Sequence, residues 1–296
     1  LSIQRQQMPH RGRISGMKTK LKGENQIGKF QKVAEGLTSR LALCEGVEGI
    51  VFIGGLIRGF VDKFSDLDII VLLDRQDEDL RRRIYGIGLD EERCSGIEPD
   101  LEVHSLEDFR KMKLGEPERW ELSRVDIVFD PKGEVKKAFR KKLRLGGDFW
   151  VRRIAIYAEY LKWYCCPPRE DVGTIAEAWI ERGDLASAHY CLNYGVELLV
   201  RMLFALNKEF LPAPKWRLFY SCSLKWLPEG YEELIKQTLL VNEFSVKEHD
   251  RRLKAIREIW RRTMAKVEEE TGLSLAQLSK YYVEKVLQQR GIPSRQ

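Results

Sequence analysis

A chain of 296 residues, 43% hydrophobic and 32% charged, can bury the core of one large domain or two ordinary ones, and its net charge of +6 permits nucleotide or nucleic-acid partners without requiring them. No apolar run reaches the roughly 18 to 20 residues that span a bilayer. The six cysteines (Cys44, Cys94, Cys165, Cys166, Cys191, Cys222) contain no CxxC and no paired histidine spacing, which argues against a zinc site or a disulfide framework. The expectation is a globular cytoplasmic protein with reduced thiols and no membrane partner.

Residues 1–25 read as a basic leader. Arg5, Arg11, Arg13, Lys18, Lys20 and Lys22 occur there without apolar periodicity. Too little apolar surface is available to order such a segment, so disorder is expected, with an RNA-binding arm as the alternative. Residues 26–134 mix helices and strands. Phe30, Val33, Leu37 and Leu41 recur at helical spacing, then "GIVFIG", "LDIIVLL" and "DLEVHS" read as strands, with a charged helix in "DEDLRRRIYGIGL" between the last two. Residues 135–296 are helical almost throughout. In "DLASAHYCLNYGVELLVRMLFALN", Leu185, Ala188, Leu192, Val196, Leu199, Leu203 and Leu206 form a stripe suited to a helix bundle. The fold class expected is therefore α+β: a small mixed sheet with helices, then an all-α helical bundle.

The chemistry concentrates in "IGGLIRGFVDKFSDLDIIVLL". Residues two apart on a strand share a face, so Asp66 and Asp68 point one way while Leu67, Ile69 and Val71 point the other. Two carboxylates about 6 to 7 Å apart along a strand can hold Mg²⁺ between them. A third acid comes from "EPDLEVHSLEDF", where Asp100, Glu102 and His104 share a face; periodicity does not choose between Asp100 and Glu102. Three carboxylates with no His or Cys cluster point to a hard cation and phosphate chemistry. Gly54 and Gly55, at a strand end, let backbone approach a phosphate closely. Arg58, Lys63 and Ser65 lie between glycines and aspartates, within reach of phosphate oxygens; a solvated loop for the two cations and a turn cap for Ser65 are the plainer alternatives.

A strand ending in Gly54-Gly55, nine intervening residues and then "SDLDIIV" resembles the signature of the DNA polymerase β-like nucleotidyltransferases. "LEVHSLEDF" resembles the third-acid strand of the aminoglycoside-modifying members, which favours Glu102. The stretch "ALNKEFLPAPKW" and the helical half resemble prokaryotic nucleotidyltransferases with a helical C-terminal domain, of kanamycin nucleotidyltransferase-like architecture. Gly55 stands where the family more often has serine. The resemblance implies an enzyme that moves a nucleoside monophosphate, AMP from ATP, onto a hydroxyl of a small molecule, protein or RNA. Asp66, Asp68 and Glu102 would bind two Mg²⁺ ions and catalyse. Gly54, Gly55, Ser65, Arg58, Lys63 and Lys215 would contact the triphosphate, and the helical half would present the acceptor. The alternative is a regulatory, antitoxin-like protein that binds nucleotide or a partner through the same fold.

Other features carry plainer readings. Glu197 and Arg201, with Asn193 one turn earlier, form an exposed ion pair or position an acceptor. Lys215 and Trp216 follow two prolines; Trp216 anchors the bundle or meets a ring. The basic residues Arg251, Arg252, Lys254, Arg257, Arg261 and Arg262 make a solvated helix face or a polyphosphate contact. "PDLEV" lacks the lysine that a nuclease of the PD-(D/E)xK kind requires.

Overall fold

The computed structural model describes residues 6–7, 21–169 and 171–287. The chain divides into two compact units, Leu1–Arg144 and Leu145–Gln296. Most of the basic leader lies outside the described residues. Its described parts are ordered by partners: Gln6–Gln7 (β1) pairs with a sheet strand, and the Asn25 amide donates to Gly59 O at 2.9 Å.

The first unit holds β1, β2 (Val47–Phe52), β3 (Leu67–Leu73), β4 (Pro99–Ser105) and β5 (Asp126–Phe129) in the order β1-β5-β2-β3-β4. Only β3 and β4 run parallel. Around the sheet lie α1 (Ile27–Leu41), α2 (Gly54–Arg58), α3 (Glu78–Ser95), α4 (Leu106–Lys111), α5 (Glu116–Leu122) and α6 (Glu134–Lys142). The unbroken apolar run of β3 follows from burial on both faces. Leu67, Ile69, Val71 and Leu73 pack with Phe30, Leu37 and Ile84 of α1 and α3. Ile70 and Leu72 pack on the other face with Phe109, Leu122, Val135 and Phe139 of α4, α5 and α6. Each such side chain contributes about 1.5–3 kcal/mol on burial. The change of character at residue 135 thus falls inside α6, whose Val135, Ala138 and Phe139 complete the sheet's second core.

Two caps set the strand exits that matter below. Asp77 accepts from Leu80 N to start α3, and Ser105 accepts from Asp108 N to turn β4 directly into α4. The strand β5 was not among those expected, because four residues are too few for alternation to show.

The second unit is helical: α7 (Phe149–Tyr164), α8 (Ile175–Glu181), α9 (Leu185–Leu206), α10 (Pro214–Ser221), α11 (Tyr231–Leu239), α12 (Val246–Thr271) and α13 (Leu275–Tyr281), followed by a π-helical turn, Tyr282–Leu287. The helix α9 is buried along most of its length, including six of the seven stripe residues named above. It approaches α7 so closely at Gly195 that a Cβ there would lie 2.4 Å from Cys165 Sγ. All six cysteines are free thiols.

The basic residues of α12 do not form an open cationic face. Arg257 pairs with Glu177, Arg251 with Glu248, and Arg261 and Arg262 with Glu258. Arg252 is fully buried and donates to Thr238 O at 2.8 Å, to His189 Nδ1 at 2.8 Å and to Asn193 Oδ1. No helix among the described residues is long and apolar enough to cross a membrane.

Candidate metal and nucleotide site

The parallel register of β3 and β4 builds the site. It sets Asp68 opposite Asp100, and Asp66 lies just before β3 on the same face as Asp68. One carboxylate oxygen from each of Asp66, Asp68 and Asp100 lies within 4.8 Å of the others. The resemblance favoured Glu102 as the third acid, and among the described residues it is Asp100 that joins the cluster. Glu102 stands opposite Ile70, one side-chain step farther along β4, where its exposed carboxylate is 3.6 Å from His104 Nε2. His104 thus partners Glu102 and stands apart from the three aspartates.

Like charges held this closely repel, and burial adds to the cost. The Asp68 carboxyl is pushed up to about 6, first by burial and then by Asp66; the Arg58 guanidinium pulls the other way, and Glu121 and Asp100 push it further up. Asp100 is raised in the same sense by burial, Asp66 and Glu102. Three converging oxygens, one of them on a carboxylate kept from ionising at its ordinary value, are a donor set that a hard divalent cation fits. Asp66, Asp68 and Asp100 are the residues that would hold it.

Gly54 abuts this cluster. Its φ is +67°, and a Cβ there would fall 1.6 Å from Asp68 Oδ2. The glycine is therefore required by the carboxylate as well as by the backbone turn. Gly55 is confined differently: a Cβ would meet Val61 Cγ1 at 2.9 Å and Phe60 O at 3.1 Å.

The remaining expected contacts divide. Arg58, at the end of α2, is close enough to act on Asp68, yet its Nη1 is engaged by both oxygens of Glu121 at 3.0 and 2.9 Å in a largely buried pair. Ser65 caps a turn: its hydroxyl donates to Asp62 Oδ1 at 3.2 Å and accepts from Asp62 N at 3.0 Å. Lys63 is exposed, its Nζ 4.9 Å from the centre of the Phe64 ring. Lys215 belongs to the second unit, exposed in the first turn of α10. Trp216 packs against Phe219 and Tyr220, which fits an anchor. Glu197 is shared by Arg201, at 2.7 Å, and Arg217.

Glu121 was not foreseen. It sits on a seven-residue helix more than fifty residues from Asp68, and only the pairing of charge with Arg58, visible as folded, singles it out.

Residues 31–145 match the family described as the nucleotidyltransferase domain. No curated protein matches the chain. Among solved structures, a nucleotidyltransferase-like protein from Exiguobacterium sibiricum 255-15 is similar at 12% identity and a TM-score of 0.41, over 90% of this chain and 81% of that one. The assignment rests on the family match and on the paired aspartates and glycines within it. Residues 31–145 are thus a nucleotidyltransferase domain, of the DNA polymerase β-like kind.

Proposed function

We propose that this chain is a Mg²⁺-dependent enzyme that moves a nucleoside monophosphate, AMP from ATP, onto an acceptor hydroxyl. The observation that carries the proposal is the convergence of Asp66, Asp68 and Asp100 within 4.8 Å beside Gly54. Bound Mg²⁺ supplies neutralisation of charge on the α-phosphate and on the departing pyrophosphate. Asp66 and Asp68 hold the cation side of the site, Asp100 completes it, and two ions are the expected complement. The side-chain-free surface at Gly54-Gly55 leaves room for the triphosphate, and Arg58 offers a guanidinium to its oxygens.

In the reaction, the acceptor oxygen bonds to the α-phosphorus and the bond from that phosphorus to the bridging oxygen breaks. Pyrophosphate leaves with the electron pair, and the hydroxyl proton passes to a carboxylate of the cluster. Isothermal titration of each nucleoside triphosphate with Mg²⁺ into the wild-type chain and into Asp66→Asn/Asp68→Asn tests this. One triphosphate should bind only with Mg²⁺ and not to the double variant. Absence of any binding at millimolar nucleotide overturns the proposal.

A further inference from the structure

The helices α7 and α9 carry an unusual surface. Tyr160 (40%), Trp163 (65%), Tyr190 (74%) and Tyr194 (38%) are solvent-exposed. Among the described residues these are the exposed large apolar side chains of the two helices, and none is aliphatic. The tyrosines are also aligned. On α7, Tyr160 and Tyr164 follow the buried Tyr157 at helical spacing; on α9, Tyr190, Tyr194, Glu197 and Arg201 are spaced likewise. The two rows meet where the Tyr164 and Tyr194 rings lie 4.7 Å apart, inclined at 59°. Tyr160 and Tyr190 each lie one helical turn from that contact, four residues before Tyr164 and Tyr194.

The rows share a direction of charge. Arg201 acts on both Tyr157 and Tyr194, and with Arg217 it shares the single carboxylate of Glu197. One end of the strip is therefore aromatic and the other carries a net positive charge. From Tyr190 to Arg201 the helix rises about 16 Å, the length of roughly four to five stacked bases at 3.4 Å each.

We propose that this strip binds single-stranded nucleic acid, with bases stacked on its exposed tyrosines and the phosphates drawn to the partly exposed Arg201. Base stacking on exposed aromatic rings, combined with cations that track the backbone, is how sequence-tolerant single-strand sites work. A protein-docking face, by contrast, has a core depleted of charge, whereas here the rings run directly into a cluster of two guanidiniums and one carboxylate. The inference rests on the second unit alone and stands independently of the proposed transfer chemistry.

The test is fluorescence anisotropy of a labelled, unstructured oligoribonucleotide with the full chain at low salt. The wild type should bind, with affinity falling as salt rises. Tyr160→Ala/Tyr190→Ala should weaken binding by about tenfold or more, since each stacked base contributes on the order of 1–3 kcal/mol. Tyr160→Phe/Tyr190→Phe keeps the rings and should bind within about threefold of wild type. Asp66→Asn/Asp68→Asn should bind as wild type does. Both tyrosines are exposed, so the alanine variant should fold, with unchanged circular dichroism. Absence of binding overturns the inference. So does equal binding by the alanine variant, which places the contact elsewhere, and so does a change in sedimentation without a change in RNA affinity, which makes the strip a surface for a second copy of the chain.

Discussion

Replacing Asp68 by asparagine should stabilise the cation-free protein. The carboxyl is raised from 3.8 to about 6 in the fold. A group whose folded pKa lies above its unfolded value adds nothing unfavourable below the unfolded value. It loses stability as pH rises through the folded value, and the full penalty stands above it. A shift of roughly two units corresponds to about 3 kcal/mol at most, at 1.36 kcal/mol per unit. Solvent reaches part of the carboxylate and screens it, so about 1–2 kcal/mol is expected. For a unit of this size that raises the melting temperature by about 3 to 6 °C. Thermal melts in chelator at pH 7.5 should show Asp68→Asn above wild type, and melts near pH 4 should show them level. Millimolar Mg²⁺ should then raise the wild-type midpoint and leave the variant unmoved, because the cation removes the penalty that the substitution removes. A variant that melts below wild type at pH 7.5 would refute the claim that this carboxylate is held at a cost.

Gly54→Ala should lose Mg²⁺-dependent nucleotide binding by more than about tenfold and about 2–3 kcal/mol of stability, from a Cβ driven into Asp68 and a left-handed φ, read by titration and urea unfolding. Asp100→Asn should abolish metal-dependent binding while Glu102→Gln retains it within about threefold; the reverse order would restore Glu102 as the third acid. Glu121→Ala breaks the largely buried pair with Arg58 and should cost about 1–3 kcal/mol in chemical denaturation, whereas a loss below about 0.5 kcal/mol would mark the pair as an ordinary surface bridge.

The strand that carries the site was legible because both of its faces are buried, which leaves a continuous apolar run interrupted only by the acids. The helical second unit was legible from long stripes such as that of α9. The choice of third acid was not. Asp100 and Glu102 share a face, so alternation treats them alike; what separates them is the offset between β3 and β4, a property of two strands joined by a helix. The resemblance favoured Glu102, whereas the fold brings Asp100 to the other two acids. Ser65 likewise shows how a hydroxyl suited to phosphate by position serves the turn when Asp62 is three residues away. Glu121 and the tyrosine rows shared a different obstacle. Their meaning lies in partners brought in from distant segments, so nothing local announces them.

The placement of β3 between two cores also bears on how the site can be controlled. Its amides from Ile69 to Leu73 pair with neighbours on both sides, and the side chains are locked above and below. Their exchange with deuterium should wait for unfolding of the whole first unit, while the segment from Gly59 to Ser65 exchanges far sooner. Asp68 is thus moored to the slowest-opening part of the domain. Asp68 cannot be withdrawn by a local loosening, whereas Asp66 lies in the loop before β3 and Asp100 on the edge strand β4, so control of this site can act through those two acids, the Arg58 side chain, or access of nucleotide and acceptor.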